Sequence, residues 1–480
     1  MELRELLDGA VVNGLLVGRG LSAAAADAKT GLFAAAARAL IGARSGDDST
    51  CAHAFFVPGR IEVLGKHTDY AGGSSIVAAV EQGFCLVSVP RQDREVSVCA
   101  LDREVRVCAL DREVRVSAQD REAETVSFNL DPDLQVRHGH WSNYPMTVVR
   151  RLARNFPECR LGMDLAFASD LPPAAGMSSS SALIVATFLA LAAANRLSST
   201  EFYRRQFGKG GVDLAAYLGT IENGQSFGEL SGDRGVGTFG GSEDHTAILC
   251  SQPRRFGQFA YCPARFQRHI PLPPDIGLVL ADSGVVAEKT GAAQELYNQA
   301  SGRVSALVQR WQRGSGREEI YLADILASDP AAADRLRGYL ARADGDSFSP
   351  DELRQRLDHF VAESDLIGPA GDALAAGDLA EFGRLVDRSQ QLSEELLGNQ
   401  VAPTIGLARL ARQGGALAAS AFGAGFGGSV WALVKKRDRD AFAEAWSASY
   451  RRDFPEAGGR SAFFQTDAGP AAFELGEEAT

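Results

Sequence analysis

Positive charge is scarce in this 480-residue chain: 49 Lys and Arg stand against 61 Asp and Glu, for a net charge of −12. A phosphate backbone attracts cationic surfaces, so a nucleic-acid partner is not expected. A local basic pocket for a nucleotide stays compatible with that balance. Long apolar runs are missing too. None approaches the ~20 residues that a membrane-spanning helix needs. Met1 to Leu7 carries Glu2, Arg4 and Glu5 rather than a basic-then-apolar leader. The expected location is the cytoplasm, with no membrane partner. The seven cysteines are dispersed, with no CxxC pair and no Cys/His cluster at zinc spacing. They read as reduced, mostly buried thiols.

What is present has the composition of a folded globular chain, 45% hydrophobic and 23% charged. An Ala-rich stretch from Ala23 to Ala43 has helical spacing and no Pro. Ala54 to Val63 reads as a strand, followed by a Gly-rich turn at 71–74 and a second strand from Ser75 to Val80. Residues 93–119 hold three near-identical units, DREVSVCAL, DREVRVCAL and DREVRVSAQ. Each carries a V-x-V alternation and reads as a short strand. Nine is odd, so one continuous strand would turn the valines of successive units to opposite faces. A break near each Leu-Asp-Arg-Glu is expected. Val212 to Glu222 reads as a helix and Asn223 to Gly241 as a Gly-rich loop. Pro271 to Pro274 reads as a connection between two halves. A strand follows from Ile276 to Asp282, helices dominate to about Arg412, and a last strand spans Ser429 to Val434.

Three segments carry chemistry. In Leu171-Pro172-Pro173-Ala174-Ala175-Gly176-Met177-Ser178-Ser179-Ser180-Ser181-Ala182-Leu183, small residues join an alternating strand (Met163, Leu165, Phe167) to an Ala/Leu helix. Free N–H groups and the positive dipole end at such a helix start bind phosphate. A Ser-rich helix cap would look the same. No GKS or GKT is present, so this is not a Walker loop. The segment Pro58-Gly59-Arg60-Ile61-Glu62-Val63-Leu64-Gly65-Lys66-His67-Thr68-Asp69-Tyr70 packs Arg, Glu, Lys, His and Asp into a turn beside a strand, as recognition of sugar hydroxyls requires. The segment Ser420-Ala421-Phe422-Gly423-Ala424-Gly425-Phe426-Gly427-Gly428-Ser429-Val430 is a glycine turn that lets backbone approach something closely.

Taken together and in this order, the three segments resemble the signature motifs of galactokinases and their GHMP kinase relatives. Trp141-Ser142-Asn143-Tyr144, Ile221-Glu222-Asn223 and Gly241-Ser242-Glu243-Asp244-His245 extend the resemblance over about Phe55 to Val434. It implies an α+β, two-domain GHMP kinase fold. The N-terminal mixed α/β domain would cover 1–270 with the repeat insertion at 93–119. The C-terminal domain, with a ferredoxin-like core and extra helices, would cover 271–480. It also implies transfer of the ATP γ-phosphoryl group to a monosaccharide, at the anomeric C1 hydroxyl, by a monomer or weak homodimer.

By the same resemblance Asp244 is the base for the sugar hydroxyl, and Arg60 beside it keeps the carboxylate ionised and steadies the transferring group. ATP would lie on Ala175, Gly176, Met177, Ser178, Ser179 and Ser180, with Trp141 near the adenine. Mg²⁺ would be held by Ser180 and Glu222; counting back from Ala182 instead makes the serine Ser181. His67, Asp69, Glu62 and Lys66 would meet the sugar.

Two departures concern the sugar. The galactokinase motif N-x-I-G-E-H-T-D has Glu62 at its Asn position and Lys66 at its Glu position, the one associated with the C6 hydroxyl. An ammonium donates where a carboxylate accepts, so a uronic acid bound through Lys66 is one expectation. The other is that Glu62 neutralises Lys66, or that Lys66 bends to solvent. A second departure is that no Tyr occurs between Val286 and Gln294, so the family's substrate Tyr is not assigned; Tyr297 is the first. A non-catalytic sugar sensor is the reading from another class. It would not need Arg60, Asp244, Glu222 and the serine run together.

Overall fold

The computed structural model describes residues 1–101, 123–137, 139–172, 175–286, 292–340 and 347–477. The second and third nine-residue units, and Pro173 and Ala174 of the serine segment, lie outside them.

Among the described residues, twelve strands form two sheets. They are β1 (His53–Leu64), β2 (Ser74–Pro90), β3 (Glu95–Ala100), β4 (Glu124–Asn129), β5 (Met163–Ser169), β6 (Arg255–Ala260), β7 (Arg265–Pro271), β8 (Ile276–Asp282), β9 (Ala418–Ala421), β10 (Ser429–Lys435), β11 (Ala462–Thr466) and β12 (Phe473–Glu474). The first sheet has the order β12-β1-β2-β5-β3-β4, with β6 and β7 branching from β2. The second has the order β11-β8-β10-β9, every pair antiparallel. Its strands and helices follow as β, helices, β, β, helix, β. That is the split βαβ arrangement of a ferredoxin-like core. The chain passes between the sheets after Pro271, and the C-terminal β12 returns to the first.

Several sequence expectations are met. The Ala-rich helix spans Ala23–Ala43, capped by Ser22 accepting from Ala25 N. The second strand runs ten residues past Val80, to Pro90, and pairs with β1 along nearly all of its length. Periodicity could not show this, because Glu81-Gln82-Gly83 interrupts the apolar residues of a strand that is buried on both faces. In the first nine-residue unit, Val96 and Val98 are buried on β3, and the strand ends at Ala100, before Leu101.

Helix Ser179–Ala194 packs on β1 and β2 and is buried nearly all round. It sits in a core that runs on into the second sheet through Leu278, Leu280, Trp431 and Leu433. The two sheets therefore share packed apolar side chains, and the glycine turn between β9 and β10 is held rigidly against the first sheet's loops.

Candidate active site

Each of the three segments ends at one place. Arg60 lies on β1, 2% exposed. Its Nε donates to Asp244 Oδ1 at 2.7 Å and its Nη1 to Gly176 O at 2.7 Å. Its guanidinium also lies 5.8 Å from the Phe422 ring centroid. One cation thus ties the strand, the serine segment, the Asp loop and the glycine turn together. Ser429 Oγ adds a bond to Ala175 O at 2.7 Å. At Gly427 (φ +143°) a Cβ would stand 2.6 Å from Val285 O, so only glycine fits this approach.

Asp244 stands in the first turn of helix Glu243–Cys250. Its other oxygen, Oδ2, lies 3.3 Å from Ser181 Oγ, which donates at 2.8 Å to Glu222 Oε1. The serine between the two carboxylates is Ser181, not Ser180. The helix places successive side chains about 100° apart, so one position decides which hydroxyl points at Glu222. Glu222 holds its place because the long loop after it folds back. Asp233 pairs with Arg150 and Arg151 at 2.7 and 3.2 Å, and Val236 N bonds to Glu222 O. Three oxygen donors meet here, Ser181 Oγ, Glu222 and Asp244, and such hard donors suit Mg²⁺.

At the start of helix Ser179–Ala194, Ser178 has φ +60° and makes no side-chain cap bond. Its Oγ is buried without a hydrogen-bond partner. A left-handed non-glycine residue and an orphan hydroxyl at an uncapped helix start fit an anionic oxygen. Ala175, Gly176, Met177, Ser179 and Ser180 surround the same turn. Trp141, 5% exposed, packs edge-on to Phe167 and donates to Glu124 Oε2 at 2.9 Å. Its ring is committed to the core, leaving little face for a base.

A cavity beside Arg60 and Asp244 is lined by Glu62, His67, Asp69, Glu222, Gly240, Gly241, Glu243, His245, Tyr297, Gly423 and Ala424. Glu62 Oε2 accepts from Gly423 N at 3.1 Å. Burial pushes its carboxyl up to about 7, against the pull of Lys66 and Arg60. Burial first, then the Glu62 and Asp69 charges, hold Glu243 well above the usual carboxylate range. Asp69 Oδ2 accepts from Glu243 N at 3.2 Å.

His67 Nε2 faces Ala424 O at 3.2 Å, and Nδ1 faces the Tyr70 hydroxyl at 3.0 Å. Asn399 Nδ2 also lies 3.4 Å from Nε2. Both ring nitrogens thus bind protein groups, and His67 meets the cavity through its ring. Tyr297, left unassigned from sequence, packs at 5.2 Å against that ring, tilted by 56°. It reaches the cavity from helix Ala292–Ser315, beyond the residues where a motif search looks.

Lys66 does not line the cavity. It is 1% exposed, and its Nζ donates to Ser389 Oγ at 3.0 Å. Glu363 Oε1 accepts from Ser389 Oγ, Gly65 N and Lys66 N. A buried ammonium settles where protein oxygens and countercharge already wait, so neither the uronate expectation nor the bend to solvent describes it. Glu363 and Ser389 lie some three hundred residues away in sequence, beyond any local pattern. Arg356 completes this network, donating to His67 O at 2.5 Å and to the Tyr70 hydroxyl at 3.2 Å.

Comparison with known proteins agrees with this geometry. Residues 143–220 match the GHMP kinases N terminal domain, 372–452 the GHMP kinases C terminal domain, and 44–88 the galactokinase galactose-binding signature. A galactokinase of Roseiflexus sp. (strain RS-1) is 28% identical over 411 residues, 84% of this chain and 88% of the relative. One of Enterococcus faecalis is 27% identical over 406 residues, 83% and 89%. Among solved structures, Lactococcus lactis galactokinase complexed with galactose superposes with a TM-score of 0.70 at 21% identity, covering 91% of this chain and 98% of that one.

Proposed function

From a chain that carries both GHMP kinase domains and the galactokinase galactose-binding signature, we infer an ATP-dependent sugar kinase of the galactokinase type. The observation that carries this reading is the convergence of Arg60, Asp244, Ser181 and Glu222 beside a cavity whose walls include Glu62, His67 and Asp69 of the sugar motif.

Asp244 receives the proton of the acceptor hydroxyl, which we take to be the anomeric C1 hydroxyl, as its oxygen bonds to the γ-phosphorus and the bond to the β-bridging oxygen breaks to leave ADP. Arg60 holds Asp244 Oδ1, so the carboxylate stays ionised until that proton arrives. Its second bond, to Gly176 O, fixes the guanidinium against the phosphate turn. The start of helix Ser179–Ala194 and the Ser178 hydroxyl receive the triphosphate. Ser181 and Glu222 would hold Mg²⁺, which would supply positive charge to the phosphates. Asp69 and Tyr297 bound the sugar, with Glu62 at the glycine turn.

We assign residues 1–270 and 271–480 to the two domains and place the protein in the cytoplasm as a monomer or weak homodimer. Among the described residues no helix is long and apolar enough to cross a membrane. A sensor without catalysis is disfavoured, because it would not need acid, cation, hydroxyl and second carboxylate in mutual contact. The test is ADP release from MgATP with galactose and related sugars. Sugar-dependent release, absent in Asp244→Asn, is expected; ADP release that no monosaccharide stimulates would overturn the reading.

A further inference from the structure

Five carboxylates line the cavity: Glu62, Asp69, Glu222, Glu243 and Asp244. Arg60 is the only Arg or Lys among the described lining residues, and it is engaged by Asp244 and Gly176. A divalent cation held by Ser181 and Glu222 would answer the charge at the phosphate end. Glu62, Asp69 and Glu243 bring three further carboxyl groups to the rest of the cavity.

Glu62 gives the sharpest indication. It is 3% exposed. One oxygen accepts from Gly423 N, and the other, Oε1, has no hydrogen-bond partner. Lys66, the nearby cation on the same segment, turns its Nζ to Ser389. A desolvated carboxylate oxygen without a donor is costly unless a ligand supplies one. Nor do the described residues offer three His, Cys, Asp or Glu side chains converging to chelate a metal ion. What the described lining residues leave for the ligand to supply is therefore a compact positive donor.

Resting on the kinase reading above, we propose that the acceptor is an amino sugar, whose primary ammonium is received by Glu62 and Glu243. An ammonium donates three hydrogen bonds, and its charge favours the ionised form of both carboxyl groups once it is bound between them. A uronate would bring a sixth carboxylate to the same cavity.

The test compares kcat/KM on the unaltered chain, by ADP release with MgATP. The sugars are galactose, 2-amino-2-deoxygalactose, 6-amino-6-deoxygalactose, N-acetylgalactosamine and galacturonate. One of the two amino sugars is expected to exceed galactose and N-acetylgalactosamine by about tenfold or more, the scale of one charge-assisted hydrogen bond. Galacturonate is expected to be the poorest. Glu62→Gln and Glu243→Gln should each narrow the preference by lowering kcat/KM for the amino sugar more than for galactose. Galactose equal to or better than both amino sugars overturns the inference and leaves the kinase reading standing. A preference that survives undiminished in both variants overturns the assignment to these carboxylates. No sugar-stimulated ADP release at all overturns both readings.

Discussion

Ser181 Oγ stands 2.8 Å from Glu222 Oε1 and 3.3 Å from Asp244 Oδ2, so a single hydroxyl bridges the two carboxylates of the phosphate end. Its neighbour Ser180 shares the helix turn but makes neither contact. Ser181→Ala should lower kcat by about 10²-fold or more and raise the Mg²⁺ concentration needed for half-maximal rate, the scale of losing one preorganised group at a transferring phosphoryl. Ser180→Ala should shift the Mg²⁺ dependence far less. Magnesium titrations of ADP release on both variants check this. Equal shifts would place the metal elsewhere.

Asp244 pairs with a buried guanidinium. Asp244→Asn is close to isosteric but cannot take the hydroxyl proton, so kcat should fall by about 10²–10⁴-fold. Sugar affinity, read by calorimetry, should change much less. A variant with ordinary kcat would remove Asp244 from the role of base.

Lys66 is a structural cation in this fold. Lys66→Met keeps the side chain's length but removes the buried ammonium from the Ser389 hydroxyl that Glu363 accepts from, and should destabilise the protein by about 1–3 kcal/mol. Denaturant unfolding measures this. Loss of stability with no change in relative activity on galacturonate is expected. A selective change in uronate turnover with intact stability would return Lys66 to the sugar site.

Glu62 adds a pH dependence. Its folded value, about 7, lies above the ordinary 4.5 because of burial. The folded state therefore binds the proton more tightly than the unfolded chain. That stabilising contribution is complete below about 4.5 and is lost as pH rises through about 7. In Glu62→Gln the group no longer titrates. The difference in unfolding free energy between wild type and variant should then shift in the variant's favour from pH 5 to pH 7.5. A difference that stays flat would show that the Glu62 carboxyl is not raised.

Arg356 acts through His67. It donates to His67 O and to the Tyr70 hydroxyl that faces the ring's Nδ1. Arg356→Met should raise KM for the sugar several-fold more than KM for ATP, because the phosphate turn hangs on Arg60 instead. A lysine at this position should restore part of the sugar KM. Equal rises in both constants would indicate loss of stability rather than of positioning.

Much of this was legible in the sequence, and for physical reasons. A glycine turn, a serine-rich helix start and a charged turn after a strand are local solutions to local problems, so the three segments could be picked out from the chain, while Arg60, Asp244 and Glu222 were named by the resemblance of their surroundings to a family's motifs. Helix Ala23–Ala43 was legible from its spacing and its missing Pro. The tertiary structure alone decided which of two adjacent serines meets Glu222, since that depends on helix phase against a carboxylate forty residues on. It alone turned Lys66 to Ser389 and Glu363, brought Tyr297 onto His67, and committed Trp141 to the core. These are contacts between distant segments, set by packing and by where a buried charge finds its counterpart, and no local pattern encodes them.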